Sequence, residues 1–291
     1  MTLKKGLSQN FPAVITGASS GIGKALAVHL AKKYKAHIVI GGRNLDQLEE
    51  TKTEIEKVGG KCLIKAQDIG VPGAAQATVQ ACIDNFGSIA LLVNNAGLAQ
   101  SGRFEQLSVE QFRQVFDVNF FAALEGVYAA LPTFKEQGFG KIVNVSSVAG
   151  KVAFAGSVCY SASKFALTAM SNGSGLELAG QNIDVLTVCP GWVRTEFFEK
   201  NHVAKFKNPT LIAEEGSPRG WIMKHLLSIS SQEAALQIVE ELQKSGSREI
   251  VMTAPGKIIE RMQGVCPKVV SALSSMIPLD YTDPKEVVTN K

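Results

Sequence analysis

The stretch PAVITGASSGIGKA, residues 12–25, joins a short apolar run to a helix-forming run through a turn that holds three glycines and two serines. The apolar run predicts a strand, and Gly17, Gly21 and Gly23 lie in the turn that follows it. Glycine is tolerated best where the backbone takes unusual torsions or approaches another group closely. Unpaired N–H groups at a helix start, with the positive end of its dipole, form an anion site. The stretch therefore predicts a backbone cradle for a phosphate group.

Six further apolar runs follow along the chain, separated by amphipathic segments. The runs cover residues 37–41, 61–66, 89–94, 141–146, 183–188 and 249–252. They are continuous rather than alternating, which indicates burial on both faces, as in a parallel sheet. Their alternation with helices is typical of βαβ crossovers. We therefore expect an α/β fold: a doubly wound, Rossmann-like parallel sheet of about seven strands with helices on both faces.

The same sheet accounts for most of the chain, and no Pro- or Gly-rich linker or internal repeat divides it. We expect a single catalytic domain over residues 1–256. The longest gap without a predicted strand, residues 195–248, indicates an insertion over the site, and its part at 195–230 is expected to be a substrate lid. Residues 257–291 are expected to form an amphipathic helical extension, divided or kinked at Pro267, and a polar tail.

Composition narrows the class of protein. The chain has 291 residues, 45% of them apolar, and a net charge of only +4 from dispersed basic residues, which argues against a nucleic-acid binder. The five cysteines show no metal-ligand or disulfide spacing, so we expect reduced thiols and no metal site. The start shows no apolar signal region, and we find no stretch long enough to span a bilayer. These features predict a cytoplasmic protein.

Five motifs occur in the order shown by the short-chain dehydrogenase/reductase family, which the sequence resembles from residue 10 to about residue 198. They are TGASSGIG (16–23), NNAG (94–97), NVSS (144–147), YSASK (160–164) and PGWVRT (190–195). The resemblance implies an NAD(P)-dependent enzyme that transfers a hydride between a nicotinamide and a carbonyl or alcohol. It further implies that Ser147 polarises the carbonyl, Tyr160 transfers the proton, and Lys164 also holds the nicotinamide ribose.

The residue chemistry agrees with these roles. Tyr160 and Lys164 are four residues apart and share one helix face, so the ammonium beside the phenol, together with the positively charged nicotinamide, is expected to favour the phenolate and lower the tyrosine pKa. A serine hydroxyl from another strand end can stabilise charge that develops on a substrate oxygen. Taken singly, each residue also fits a surface pair, a turn or a helix cap. Ser146 is the nearest competitor, and the offset to Tyr160 that resembles the family selects Ser147.

The end of the second predicted strand bears on which nicotinamide cofactor binds. NAD-selective sites of this architecture carry a carboxylate here that binds the ribose hydroxyls and repels a 2′-phosphate. This chain has Gly42, followed by Arg43, whose guanidinium suits a phosphate, and by Asn44. Ser20 stands where some NADP enzymes of the family carry a second basic residue. We expect a preference for NADP(H), with NAD(H) use left open; Arg43 could otherwise be a solvated loop charge.

The resemblance also assigns contacts along the rest of the cofactor. Asp68 is expected to accept from the adenine amine, and Asn94 with Gly97 to line the adenosine side. The full set of expected cofactor-binding residues is Gly17, Ser19, Ser20, Gly21, Ile22, Gly23, Arg43, Asn44, Asp68, Asn94, Ala96, Gly97, Tyr160, Lys164, Pro190, Gly191, Val193 and Thr195. Asn119, in an apolar helical stretch, either bonds neighbouring backbone or, as the resemblance implies, serves as a fourth catalytic residue that holds a water in a proton relay ending at Lys164.

The sequence supports two hypotheses for the function. The first is an NADP(H)-dependent oxidoreductase that interconverts a carbonyl and a secondary alcohol on a hydrophobic or lipid-like small molecule. Aromatic residues of the lid, Phe197, Phe198, Phe206 and Trp221, fit such a substrate but equally fit packing of the lid on its own core. The alternative is a non-catalytic dinucleotide-binding redox sensor or scaffold, which would not need Ser147, Tyr160 and Lys164 together.

Partners are predicted from two helical regions. The resemblance implies a homodimer or homotetramer through helices near 109–136 and 158–180. Residues 257–277 place apolar side chains, from Ile258 to Ile277, on one helical stripe bordered by basic residues. This stripe is compatible with weak association with a membrane surface and with a protein contact, and we favour the protein contact.

Overall fold

The computed structural model describes residues 7–195, 197 and 228–275. Its centre is a seven-stranded sheet in the order β3-β2-β1-β4-β5-β6-β9, and every neighbouring pair is parallel. The strands of this sheet are β1 (Pro12–Thr16), β2 (His37–Gly42), β3 (Lys61–Ala66), β4 (Leu91–Asn94), β5 (Gly140–Val145), β6 (Ile183–Cys189) and β9 (Arg248–Val251). The doubly wound fold predicted from the apolar runs is confirmed.

Helices cover both faces of the sheet. They are α1 (Gly21–Tyr34), α2 (Leu45–Lys57), α3 (Ala74–Phe86), α4 (Val109–Phe116), α5 (Ala122–Gln137), α6 (Val158–Leu178), α7 (Ser231–Leu242), α8 (Ala254–Val265) and α9 (Pro267–Ser275). Helices α1, α2 and α7 pack together on one face, and α3, α5 and α6 lie on the other. Successive strand residues serve opposite cores: Ile15 belongs to the first and Val14 to the second. This two-sided burial explains why the strand runs are continuously apolar.

The strand order places a crevice above the centre of the sheet. Strands β1, β2 and β3 are added in one direction, and β4, β5 and β6 in the other, so the order reverses between β1 and β4. Val14 pairs with Val39 of β2 on one side and with Leu92 of β4 on the other. Ligands of doubly wound sheets bind at this reversal, beyond the carboxyl ends of the strands.

The strand-free gap predicted for residues 195–248 needs correction. Ser228–Ser230 forms a short strand, β8, which pairs in parallel with β7 (Trp192–Arg194) as a separate two-stranded sheet. Three-residue strands carry too few residues to show a period, which is why the sequence pattern missed them. Most of the lid expected at 195–230 lies outside the described residues, which do not include 196 and 198–227. Its residues Phe198, Phe206 and Trp221 are among those not described.

Residues 109–137 form one nearly continuous helix, in which a π-helical segment, Asp117–Phe121, joins α4 to α5. By length and composition alone this helix could cross a bilayer, contrary to the expectation from the sequence. It packs on α3, α6 and the sheet, as core helices of folded domains do. The single described helix that passes this test therefore does not by itself indicate a membrane span.

The C-terminal region begins earlier than the predicted extension. Helix α8 begins at Ala254 rather than at residue 257, and Pro267 begins a second helix, α9. The apolar residues therefore do not form one stripe: Val270 is buried, whereas Val265 and Val269 are exposed. Met276 and Ile277 lie outside the described residues.

Candidate active site

A cleft of about 240 Å³ lies over the carboxyl ends of the central strands. It brings together residues from the glycine turn, the ends of β2 to β6, helix α6 and the segment after β6. Of the residues predicted from sequence, it is lined by Gly17, Ser19, Ser20, Gly21, Ile22, Arg43, Asp68, Ala96, Gly97, Ser147, Tyr160, Lys164, Pro190, Gly191, Val193 and Thr195. Segments far apart in the chain thus meet in a single site.

The glycine turn is held close against the end of β4. Gly17 and Gly21 have φ values of +65° and +60°, which favour glycine. A methyl group built on Gly17 would lie 2.7 Å from the Ala96 Cα, and one on Gly23 would lie 2.5 Å from the Gly17 carbonyl oxygen. Asn95 bridges the two segments, since its Nδ2 donates to the carbonyls of Thr16 at 2.9 Å and Gly17 at 3.0 Å.

The start of α1 fits a phosphate group. Ser20 is the N-cap residue, and in the described part of the chain its side chain makes no capping hydrogen bond. The Ser20 side chain therefore supplies no acceptor to the N–H groups of the first turn, and Ser20, Gly21 and Ile22 line the cleft. Together with the helix dipole these groups form an anion site of the kind that holds a dinucleotide pyrophosphate.

Next to this turn, the end of β2 leaves room for a further anion. A methyl group built on Gly42 would lie 3.5 Å from the Ser19 side chain, so an acidic side chain there would enter the space above Ser19. Arg43 lines the cleft, is exposed, and among the described residues forms no ion pair. Its guanidinium is therefore available to a phosphate.

Ser147, Tyr160 and Lys164 meet at the other end of the cleft. Ser147 follows β5, and its Oγ hydrogen-bonds the Tyr160 side chain. Lys164 lies one helical turn after Tyr160 on α6: its Nζ is 5.8 Å from the Tyr160 ring centroid and donates to the Val145 carbonyl at 2.9 Å. The three groups are positioned from two elements, β5 and α6, which pack side by side.

Burial shifts the pKa values of both Tyr160 and Lys164. Burial raises the pKa of Tyr160 to about 12, and the hydrogen bond from Ser147 lowers it only in part. Burial lowers the pKa of Lys164 to about 8. Among the protein groups, desolvation of the phenolate outweighs the favourable contacts. The lowering of the tyrosine pKa expected from Lys164 together with a positively charged nicotinamide stays a prediction. Tyr160 is held as a phenol, the form that donates a proton.

The side chains of Ser146 and Ser147, the two residues after β5, point to opposite sides of the extended chain. Ser146 Oγ donates to the Lys164 carbonyl at 3.1 Å and pairs with Thr168 Oγ1 at 2.7 Å, and its side chain is buried behind the cleft. Ser147 Oγ accepts from the Ala149 N–H at 3.0 Å and is within reach of Tyr160. Only the Ser147 hydroxyl is presented to the reacting end of the cleft.

Asn119 lies on the π-helical segment and is 1% exposed. Its Oδ1 accepts from the Leu98 N–H at 2.7 Å, and its Nδ2 donates to the Leu98 carbonyl and to Ser163 Oγ, both at 2.8 Å. Every group of the amide is thus bonded to protein, which matches the first of the two readings from sequence. Its part in a proton relay stays a prediction.

Four predicted residues lie outside the cleft lining. Gly23 packs beneath the turn, and Asn44 caps α2 by accepting from the Gln47 N–H. Asn94 is buried, and its Nδ2 donates to Asn144 Oδ1 at 2.9 Å. Asn119, the fourth residue, forms hydrogen bonds with the Leu98 backbone. Asn95 faces the turn instead of Asn94, because successive strand residues point to opposite sides.

Other lining residues not included in the predicted site set are Gly41, Gly42, Gln67, Ile69, Val118, Val145, Ser146 and Phe197. Gln67 and Ile69 could have been found as residues that follow a strand, whereas Val118, on a helix, carries no local signal.

Phe197 closes the cleft over the reacting groups. Its ring centroid is 6.1 Å from that of Tyr160, and its Cε2 would lie 3.4 Å from a methyl group built on Gly97. Its N–H donates to Thr195 Oγ1 at 3.2 Å. The wall next to Tyr160 is therefore aromatic and apolar.

Within the described ranges, no three His, Cys, Asp or Glu side chains are grouped as metal ligands.

Comparisons with known proteins agree with this arrangement. The family model for short chain dehydrogenase matches residues 12–205. The chain is 39% identical over 186 residues to an uncharacterized oxidoreductase of Staphylococcus saprophyticus, covering 63% of this chain and 74% of that protein. It is 36% identical to the ketoacyl reductase HetN of Nostoc over 62% of each chain, and 32% identical to the cyclohexanol dehydrogenase of Acinetobacter over 72% of this chain and 83% of that one.

Solved structures show the same fold. The acetoin dehydrogenase YohF of Salmonella typhimurium superposes with a TM-score of 0.72 at 25% identity, over 86% of this chain and 97% of that one. A short-chain type dehydrogenase/reductase of Mycobacterium marinum gives a TM-score of 0.72 at 26% identity, over 89% and 97%. The glycine turn, the order of the motifs, the sheet and the matched family model lead to one conclusion: the chain belongs to the short-chain dehydrogenase family of oxidoreductases.

Proposed function

We propose that this oxidoreductase interconverts a carbonyl and a secondary alcohol with NADP(H). The observation that carries the proposal is the meeting of Ser147, Tyr160 and Lys164 at one end of a cleft whose other end is a glycine-lined anion site. A protein that only binds a dinucleotide has no need of the three reactive groups together. Relatives named as a ketoacyl reductase and a cyclohexanol dehydrogenase support the same type of reaction.

In this mechanism a bound nicotinamide supplies the hydride for reduction or accepts it in oxidation. In reduction, the Tyr160 hydroxyl donates its proton to the carbonyl oxygen while the carbonyl carbon gains the hydride, so that the C=O π bond is replaced by new C–H and O–H bonds. The Ser147 hydroxyl donates a hydrogen bond to the oxygen on which negative charge develops. The Lys164 ammonium, which is buried nearby, stabilises the tyrosinate that remains.

Removing the Tyr160 hydroxyl should separate binding from chemistry. In Tyr160→Phe the proton donor is lost while the ring still packs beside Phe197, so we expect kcat to fall by about a hundredfold or more with a nearly unchanged Kd for NADPH. NADPH oxidation and fluorescence titration measure the two quantities. Unchanged turnover in Tyr160→Phe would reject the assigned donor. Tight NADPH binding by the wild type without turnover of any carbonyl would favour the alternative sensor or scaffold.

The preference for NADP(H) rests on Gly42 and Arg43. The site lacks a carboxylate at the end of β2, and Arg43 is an exposed cation at the edge of the cleft without an ion pair among the described residues. A ribose 2′-phosphate would lie between Ser19 and this guanidinium. Since Ser20 offers no second positive charge, selectivity over NAD(H) depends on one cation.

Truncation of Arg43 should affect one cofactor only. A charged hydrogen bond contributes about 1.5–3 kcal/mol, so we expect Arg43→Ala to raise the Kd for NADPH by about tenfold or more and leave the Kd for NADH unchanged. Arg113→Ala, which removes an exposed arginine of α4 outside the cleft lining, is the matched control. Equal losses for both cofactors would contradict a phosphate contact.

We further propose a hydrophobic or lipid-like substrate. Phe197 forms an apolar wall beside Tyr160, and Val193 at the cleft is buried and apolar. The ketoacyl reductase HetN of Nostoc and the 3-ketodihydrosphingosine reductase of Bos taurus, the latter 33% identical over 70% of this chain, support this class. The matches cover only 62% and 63% of those two proteins.

A series of ketones of increasing chain length tests the substrate class. Burial of one methylene contributes about 0.8 kcal/mol, so kcat/KM with NADPH should rise with chain length until the apolar wall is covered. In Phe197→Ala this rise should be weakened, while Phe104→Ala, which truncates an exposed phenylalanine outside the cleft lining, should retain it. A flat profile in the wild type would contradict an apolar substrate.

We propose a homodimer or homotetramer through helices α4, α5 and α6. Large apolar side chains are exposed on these helices and on the π-helical segment between α4 and α5, including Val109, Phe121, Tyr128, Phe165 and Leu176. An apolar surface of this kind is typical of subunit interfaces. Light scattering should give a multiple of the 31.0 kDa chain, and Tyr128→Glu should shift the mass toward the monomer. A wild-type monomer would refute the proposal.

We also propose a cytoplasmic location and a weak association with a membrane surface. Five free cysteines suit a reducing compartment, and we propose a cytoplasmic location on this basis. On α8 and α9, exposed Ile258, Val265 and Val269 lie among the exposed cations Lys257 and Lys268, an arrangement that suits an anionic lipid surface. Co-sedimentation of the full chain with anionic vesicles tests this second contact.

A further inference from the structure

The first turn of α8 lies directly behind two turns of the active site. Thr253 is 3% exposed, and a methyl group built on Gly191 would overlap its hydroxyl. Gly256 is similarly close to the serine turn, since a methyl group built on it would lie 2.8 Å from Val148 Cγ2. The start of α8 thus fills the space behind both turns and leaves no room for an added methyl group.

Backbone hydrogen bonds connect the segment that packs against Thr253 to the residues on either side of Ser147. Thr253 Oγ1 accepts from the Gly256 N–H at 3.2 Å and so caps α8. The Val148 N–H donates to the Pro190 carbonyl at 2.8 Å, and the Ser146 N–H donates to the Val188 carbonyl at 2.7 Å. Ser147 lies between these two bonds, so its position depends on the segment Val188–Gly191, against which Thr253 packs.

A second attachment lies on the far side of the serine turn. Lys151 follows the 3₁₀ turn Val148–Gly150 and forms ion pairs with Glu249 Oε1 at 2.7 Å and with Glu260 Oε1 of α8 at 3.7 Å. Ile259 of α8 packs on the small apolar cluster that contains Val148. Helix α8 is therefore fixed to the serine turn by polar and apolar contacts together.

We propose that Thr253 and Gly256 are positioning residues of the active site, which hold Ser147 and the Pro190–Gly191 turn at their working distance from the reacting groups. The inference rests on the proposed function for its kinetic readout and for placing the nicotinamide on Pro190–Gly191. A displacement of about 1 Å at a catalytic group can cost about a hundredfold in rate. A tight contact behind Ser147 is therefore a means by which the C-terminal segment controls turnover.

Two glycines of α8 provide a matched pair of variants. A methyl group on Gly256 must push on Val148, whereas one on Gly264 meets no atom of the described residues within 4 Å. We expect Gly256→Ala to lower kcat for ketone reduction by about tenfold or more, and Gly264→Ala to match the wild type. Circular dichroism and thermal unfolding verify that both variants are folded.

A second pair of variants tests the cap and decides the question if Gly256→Ala does not fold. Thr253→Val keeps the side-chain shape but removes the hydroxyl, and Thr253→Ser keeps the hydroxyl. We expect Thr253→Val to lower kcat with little change in KM for the ketone, and Thr253→Ser to retain most of the wild-type rate. Ser108→Ala, which removes the cap hydroxyl from the exposed start of α4, controls for loss of a helix cap.

A binding measurement keeps this inference separate from the proposed reaction. NADPH reaches the Pro190–Gly191 turn in the proposed site, whereas 2′,5′-ADP lacks the nicotinamide half. We expect Gly256→Ala and Thr253→Val to weaken NADPH binding severalfold and to leave 2′,5′-ADP binding unchanged, measured by fluorescence or calorimetric titration. If the wild type binds NADPH but reduces no ketone, the proposed function fails while this ratio of affinities still tests the inference. Folded Gly256→Ala and Thr253→Val proteins that match their controls in kcat and in this ratio would overturn the inference.

Discussion

The close approach of the glycine turn to the end of β4 is the constraint on which the rest of the site depends. Gly17 touches the Ala96 backbone, and the Asn95 amide bridges to the carbonyls of Thr16 and Gly17. This contact lies between the ends of β1 and β4, where the strand order reverses and the cleft is located. It also directs the first N–H groups of α1 into the cleft, so that one piece of backbone both completes the fold and forms the anion site.

Burial gives the other end of the cleft its chemical character. Partial burial of Tyr160 raises the pKa of the phenol, and burial of Lys164 lowers the pKa of the amine. Both shifts disfavour charge, so Tyr160 holds its proton and Lys164 is more easily deprotonated than a surface lysine.

The C-terminal segment is structurally part of this site as well as an addition to the domain. Thr253, Gly256 and the ion pairs of Lys151 join α8 to the turns around Ser147 and Gly191. A division of the chain after residue 256 would cut helix α8 between Gly256, which packs against Val148, and Glu260, which pairs with Lys151. The exposed apolar residues further along α8 and α9 then follow a first turn of α8 that packs against the turn after Ser147.

The sequence by itself determined the positions of the seven strands of the main sheet, the glycine turn and the one-face spacing of Tyr160 and Lys164, because these follow from local periodicity and backbone preference. The family resemblance added the choice of Ser147 and the cofactor. Tertiary structure alone decided that Asn95 rather than Asn94 bridges to the turn, that Asn119 bonds Leu98 and Ser163, that the Tyr160 pKa rises, and that α8 packs behind Ser147. Each of these depends on desolvation or on contacts between residues distant in the chain, and no local pattern of residues encodes either.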